Sequence, residues 1–458
     1  MASPLILGTG NIKKLLREYS GPAILAMMAQ SIYNIIDSIF IGHGVGAIAL
    51  SALAISMPIM NLSAAFGSMI GAGGATLTSI KMGQKDYEGA TKVLGNVITL
   101  NLIIGLVLMV LGLCFLDDLL VLFGASENTL PYAREFMQII LIGNPITQLY
   151  LGLNNEIRAS GYPQKAMNIT LATVVINVIV APIFIFGFNW GIRGAALATV
   201  LAQTIALIVV IIHFFDTKNF LHFKKGIYSI EKRITIGILS IGMAPFTLHF
   251  CSSIIVVLIN NQLVKYGGDM AVGAYGVVNR LNMVFAMLVM GLNQGMQPIA
   301  GFNYGAQLYS RVRKTLNITI LSATTVMIIA FLVGEFAPYY LVRIFTDDAE
   351  LIKNSIIGMR ITVAMFPIVG FQMVSSNFFQ SIGRSTLAVF LSASRQLLIL
   401  VPLLIILPPI YGALGVWCAM PISDAMAAIL SLVVLRKEMK KFKKLEDKPF
   451  ELVEPQNN

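Results

Sequence analysis

Charge is what this chain has least of. Only 12% of its 458 residues are Asp, Glu, Lys or Arg, and 57% are hydrophobic. A soluble domain carries about 25% charged residues. Without that charged skin a chain of this length does not stay dispersed in water, and a mean hydropathy of +0.80 fits lipid as the solvent. Cysteine is also scarce. Cys114, Cys251 and Cys418 lie far apart within apolar runs, which excludes a disulfide framework and a thiolate zinc site. No Walker A, H-E-x-x-H or G-x-S-x-G motif is present. The chain is therefore not expected to be an enzyme, to hold a cofactor or to draw its energy from ATP on its own. No cleavable signal peptide is evident, and Asn11–Ser20 suits a short interfacial helix.

The long apolar runs dominate what remains. A helix needs about 20 apolar residues to cross the hydrocarbon. Twelve spans are expected near 20–41, 47–76, 94–116, 133–155, 165–187, 194–214, 235–263, 271–301, 315–336, 356–380, 386–408 and 412–435. The net charge of +10 is confined to the segments between them, which argues against nucleic acid as a partner. Lys13, Lys14 and Arg17 fall on the same side as Lys81, Lys85 and Lys92. The segments holding Lys218 to Arg233, Arg311 to Lys314 and Arg436 to Lys444 join them. The opposite side carries Asp117, Asp118, Glu127, Asp347, Asp348 and Glu350. By the positive-inside rule both termini should be cytoplasmic. The basic tail is expected to be solvated or to touch anionic lipid headgroups.

The chain also repeats itself. A shift of 222 positions brings Gly83 onto Gly305, Tyr87 onto Tyr309, Lys92 onto Lys314, Pro145 onto Pro367 and Gly161 onto Gly383. A shift of 223 pairs Pro22 with Pro245 and Asp37 with Asn260. The expected fold is an all-α membrane protein of twelve transmembrane helices in two pseudo-symmetric six-helix lobes around a central cleft. The N-lobe would cover 1–215, a cytoplasmic linker 216–234, the C-lobe 235–435 and a basic cytoplasmic tail 436–458. Each lobe has an even number of spans, so the repeats are parallel, and rocking between two states is the motion this layout suggests. Nothing in the sequence demands more than a monomer.

Asp37 is the leading candidate residue. An ionised carboxylate near the middle of a span is expensive, so it should face a cavity or a partner, or carry a proton part of the time. Gln30, Asn34 and Asp37 follow at i, i+4 and i+7 and share one helix face. Tyr33 lies beside them. Polar partners are available in Asn154 of the fourth span, Asn177 of the fifth, and Thr199 and Gln203 of the sixth. Gln30, Tyr33 and Asn154 are expected to meet substrate. Each neutral residue could equally make an interhelical hydrogen bond. In the C-terminal half the intramembrane charges are Arg280, Arg395 and Asp424, and Arg395 with Asp424 is expected to form a structural tie. Glu156 and Arg158 are expected to pair at the cytoplasmic end of the fourth span, with a gate or loop anchor as the alternative. His249 reads as a packing residue. Pro22, Pro58, Pro145, Pro182, Pro245, Pro367 and Pro402 mark expected kinks.

Four stretches resemble the multidrug and toxic compound extrusion (MATE) family. They run from Asp37 to Pro58 (DSIFIGHGVGAIALSALAISMP), from Arg158 to Gln203, from Ala274 to Ala306 (AYGVVNR through GLNQGMQPIAGFNYGA) and from Phe378 to Trp417. The resemblance covers most of both halves in order. It implies cation-coupled export of organic compounds across a bacterial plasma membrane. It also implies a cation-coupling site that joins a first-helix acid to an Asn, an Asp and a Thr of the fifth and sixth helices. Asp37, Asn177 and Thr199 match, and Asn34 and Gln203 lie within reach on the same helices. Ala181 stands where the fifth-helix Asp is expected, which leaves H⁺ and Na⁺ both open, with Asp37 the metal ligand only if the ion is Na⁺. The implied activity is antiport of cationic, amphipathic solutes by alternating access. The alternatives are a flippase for lipid-linked precursors, which should carry more intramembrane Arg and Lys, and a membrane enzyme or sensor.

Overall fold

The computed structural model describes residues 5–449. Residues 1–4 and 450–458, which include the end of the expected tail, lie outside the described residues, as do the side chains of Ala47 and Asp269. The described chain is built of helices, with no strand among its elements. Eleven helices are long and apolar enough to cross a bilayer. In chain order they are α1 (Ile12–Gly44), α2 (Ile48–Gly83), α3 (Tyr87–Cys114), α4 (Leu130–Ala159), α5 (Pro163–Gly187) and α6 (Gly191–Phe215). The second half gives α7 (Lys232–Gly268), α8 (Met270–Gly305) and α9 (Tyr309–Phe336). The next span, α10, is a pair, Ala349–Val363 and Phe366–Ser381, bent by 55°. The last two are α11 (Ser385–Tyr411) and α12 (Ala413–Phe442). Their outer faces stay apolar. On α5, Val175, Ile179, Ile183 and Phe186 recur at helical spacing and are all exposed, as lipid-facing side chains should be.

The expected prolines act in more than one way. Pro367 is the second residue of the second segment of α10, directly after the bend. Pro182 immediately precedes a π-helical turn, Ile183–Gly187, and Pro402 follows another, Ser394–Leu400.

The duplication extends to the turns. Left-handed backbone occurs at Gly46 and Gly268, Lys85 and Gln307, Gly161 and Gly383, and Gly191 and Gly412. The first three pairs are 222 apart and the last 221, so the same corners are cut in both halves. Between α2 and α3, Asp86 caps the new helix by accepting from the Gly89 amide at 2.9 Å, and it binds Lys81 Nζ at 2.6 Å.

Two compact units result. Among the described residues the first comprises 5–6 and 25–249, the second 7–24 and 250–449. The division falls inside α1 and α7, where small residues bring helices together. In the first unit a Cβ on Gly242 would lie 1.8 Å from the Met69 carbonyl oxygen, and one on Gly73 2.1 Å from that of Ile238. The first half of α7 is thereby fitted backbone to backbone onto α2. In the second unit Gly291 and Gly295 of α8 stand against Ile24 and Ser20 of α1 in the same way. Helices in lipid associate through such close approaches, because no hydrophobic force drives them together.

Candidate functional site

The first unit gathers polar side chains from α1, α5 and α6. Asn177 of α5 donates from Nδ2 to the Tyr33 hydroxyl (3.2 Å) and to Thr199 Oγ1 (3.0 Å). Tyr33 and Thr199 are themselves 3.1 Å apart. The Thr199 hydroxyl donates its single proton to the Ala195 carbonyl at 3.1 Å, so the Tyr33 hydroxyl must be the donor between them. Asp37 lies one turn after Tyr33 on the same face of α1 and is 9% exposed. Two acceptor oxygens in this group, Asp37 Oδ1 and Asn177 Oδ1, are buried without a hydrogen-bond donor. Buried acceptors are normally satisfied. Two open acceptors, one of them the oxygen of the intramembrane acid itself, make an arrangement able to take up a proton or a small cation.

Other expected site residues lie apart from this group. Gln203, one turn further along α6, accepts from Thr147 of α4 in a short hydrogen bond. Asn154 donates to Thr170 of α5 at 3.1 Å, and its Oδ1 is buried without a donor. Gln30 and Asn34 are exposed. The face of α1 turned inward thus carries Tyr33 and Asp37, at i and i+4, while Gln30 and Asn34 stand on its exposed side. Ala181 is 1% exposed and packs among Ile41, Ile185, Ala195 and Ala198. On that side of the site there is hydrocarbon and no second carboxylate. No group of three or more His, Cys, Asp or Glu able to hold a metal occurs among the described residues.

A further polar network ties α2, α3 and α4. Ser63 donates to Asn144 Oδ1 at 2.6 Å, and Gln148 Nε2 donates to Ser63 Oγ and to the Ser63 carbonyl, each at 2.9 Å. Asn144 Nδ2 reaches the Gly105 carbonyl at 3.4 Å. The sequence signal for it was an Asn and a Gln at i and i+4 flanking Pro145. Neither they nor Thr147 figure among the residues anticipated from sequence.

The remaining charges divide. Arg395 Nε meets Asp424 Oδ1 at 2.7 Å, and Ser423 donates to the Arg395 carbonyl at 2.9 Å, so the expected tie is formed. Arg280 is exposed. Glu156 and Arg158 do not pair, contrary to expectation. Residues two apart on a helix point to different sides. Glu156 is fully buried against Gly74 and Val97, with both carboxylate oxygens lacking a donor. Arg158 turns to Asn155 Oδ1 at 3.4 Å.

Comparison with known proteins agrees with this architecture. The MatE family profile matches twice, over residues 22–183 and 245–406, one copy in each half. The multidrug export protein MepA of Staphylococcus haemolyticus is 27% identical over 93% of each chain. Among solved structures, a ligand complex of the MATE multidrug transporter DinF-BH is 35% identical, with a TM-score of 0.88 over 95% of this chain and 98% of that one. A MATE structure in complex with MaL6 superposes at a TM-score of 0.92 over 97% of this chain and 100% of that one, at 23% identity, and so speaks to the fold alone.

Proposed function

Since the chain belongs to the MATE family of membrane transporters, we propose that it is a secondary antiporter, exporting organic, cationic and amphipathic compounds in exchange for protons. Asp37 is the coupling acid. Asn177 and Thr199 are the neighbours that sense its charge, with Tyr33 joined to them. The observation that carries this reading is the pair of open, buried acceptors, Asp37 Oδ1 and Asn177 Oδ1, beside a closed hydrogen-bonded trio. The multidrug names of MepA and DinF-BH support the substrate class.

A proton is favoured over Na⁺ by the donor set. One carboxylate and neutral oxygens, with Ala181 in place of a second acid, suit a proton, whereas Na⁺ would ask for several well-placed oxygens. Protonation of Asp37 couples to transport only if it binds one conformation better than the other, and alternating access between the two halves is that pair of states. The flippase alternative is weakened because Arg395 is committed to Asp424, which leaves Arg280, of the two C-terminal-half arginines, without an ion pair among the described residues and able to meet a pyrophosphate. In this reading the chain works as a monomer in a bacterial plasma membrane, with both termini cytoplasmic.

The test is dye transport by purified protein in liposomes, driven separately by a pH gradient and a Na⁺ gradient. Native protein should respond to the pH gradient, and Asp37→Asn should lose that response while remaining folded. Transport driven only by Na⁺, or undiminished in Asp37→Asn, refutes the assignment.

A further inference from the structure

A cleft of about 530 Å³ opens within the second unit, between the start of α1 and the helices α8 and α9. Its two ends differ in chemistry. Lys13 and Arg17 stand at one end, both exposed. Leu16, Ile24, Leu292 and Ile318 supply most of an apolar lining, with the small hydroxyl side chains of Ser20, Thr319 and Ser322 between them. Lys13, Arg17 and Ile24 fall at i, i+4 and i+11, on one face of α1, so the lining runs along the helix away from the cations.

The two cations are uncommitted. Neither Lys13 nor Arg17 forms an ion pair with a described residue, although Lys14 between them pairs with Glu18 at 3.9 Å. The internal repeat supplies a comparison. Shifted by 223, Lys13 and Arg17 fall on Ile236 and Ser240, which carry no charge. On the facing helix, Lys92 of the first half is held by Glu88 at 3.2 Å and Glu231 at 3.1 Å. Its counterpart Lys314 lies one turn before Ile318 and has no ion pair among the described residues. At the two α1 positions themselves the fold does not require charge, since the duplicated half has Ile236 and Ser240 there.

We propose that this cleft is a binding site for one anionic glycerophospholipid of the leaflet that faces the basic side. Its phosphate is held by Lys13 and Arg17, and an acyl chain lies along Leu16, Ile24, Leu292 and Ile318. Charge at the headgroup end and hydrocarbon behind it match the two parts of such a lipid, and match a soluble anion only at one end. A lipid seated there would bear on the α1–α8 crossing at Gly291 and Gly295.

The experiment is native mass spectrometry of the delipidated full chain in detergent, titrated with dioleoyl phosphatidylglycerol, dioleoyl phosphatidylcholine or inorganic phosphate. The native protein should retain one phosphatidylglycerol in preference to phosphatidylcholine. With two cations lost, Lys13→Gln with Arg17→Gln should weaken phosphatidylglycerol binding about 30-fold and leave phosphatidylcholine unchanged. Ser322→Trp, which fills the apolar end, should weaken both lipids. Lys440→Gln with Lys444→Gln in the tail should change neither. Equal retention of the two lipids by native protein overturns the proposal. So does a preference that survives Lys13→Gln with Arg17→Gln or is lost with the tail variant, and so does displacement of the lipid by millimolar phosphate.

Discussion

A hydroxyl with one proton imposes a direction on the hydrogen bonds around Thr199. Its proton goes to the Ala195 carbonyl, so both contacts to Thr199 Oγ1 must arrive from donors, Tyr33 and Asn177. The Asn177 amide spends both of its N–H groups on this trio and leaves Oδ1 open. In the proposed reading Tyr33 is therefore a positioning residue for Asn177, and Asp37 is the group that changes charge. Tyr33→Phe removes the phenol oxygen that accepts from Asn177 and donates to Thr199, while the Asn177–Thr199 bond remains. It should lower stability by roughly 0.6 kcal/mol for each interhelical hydrogen bond lost in the membrane. Dye efflux should slow yet still follow the pH gradient. If Tyr33→Phe uncouples transport as fully as Asp37→Asn, the phenol is itself part of the proton path and the assignment of roles fails. Sequence reading reached Asp37, Asn177 and Thr199 because an acid in a span and its polar neighbours are conspicuous against hydrocarbon. It could not fix the rotation of α1. Adjacent residues are about 100° apart, and the stripe Gln30, Asn34, Asp37 and the stripe Tyr33, Asp37 share their last member. Only packing decides which of the two turns inward.

At the scale of helices, glycine sets how closely two backbones approach, and α8 holds its own control. A Cβ on Gly295 would lie 2.2 Å from Ser20 Oγ and 2.5 Å from Ser20 Cα, whereas one on Gly276 meets nothing within 4 Å. Gly295→Ala should therefore cost about 1–3 kcal/mol through overpacking at the α1–α8 crossing. Gly276→Ala should be neutral or stabilising by about 0.5–1 kcal/mol, through helix propensity. Thermal unfolding in detergent, followed by loss of a monodisperse elution peak, separates the two. Equal effects would mean that α1 and α8 do not cross at Gly295. The α2–α3 corner gives a pH-dependent counterpart. The Lys81 ammonium holds the Asp86 carboxyl below its usual value, against the opposing effect of burial and with a lesser contribution from the Gly89 amide. A carboxyl depressed in the folded state contributes stability above its unfolded pKa and loses it as pH falls through the folded one. Asp86→Asn keeps a cap but cannot ionise. The native protein should thus be the more stable at pH 7, and the two should converge below about pH 4. The difference should be small because Asp86 is nearly half exposed. A constant offset across the range would mean that the Lys81 pair contributes nothing.

Over the whole molecule, span number and duplication were legible because each is written in a one-dimensional signal: run length against bilayer thickness, and landmarks recurring at a fixed offset. The partition into compact units was not. It depends on which half of α1 and α7 meets a glycine on a distant helix, and that is a three-dimensional match with no periodic trace. The chain's sidedness rests on charge counting alone, and it makes the last prediction. An even number of spans places the N-terminus, the 216–234 segment and the Lys440–Lys444 stretch together, opposite Glu127 and Asp347. The basic side resists translocation, so in the reading proposed above it is the cytoplasmic one. Cys114 is exposed and would report on its own, so single cysteines belong in a background with Cys114, Cys251 and Cys418 replaced by Ser. In intact cells a membrane-impermeant maleimide should label Glu127→Cys and Asp347→Cys, and should reach Lys224→Cys and Lys444→Cys only after permeabilisation. Labelling of Lys444→Cys from outside would invert the protein. The antiport proposed above would then run the wrong way for export, and the lipid cleft at Lys13 and Arg17 would face the outer leaflet.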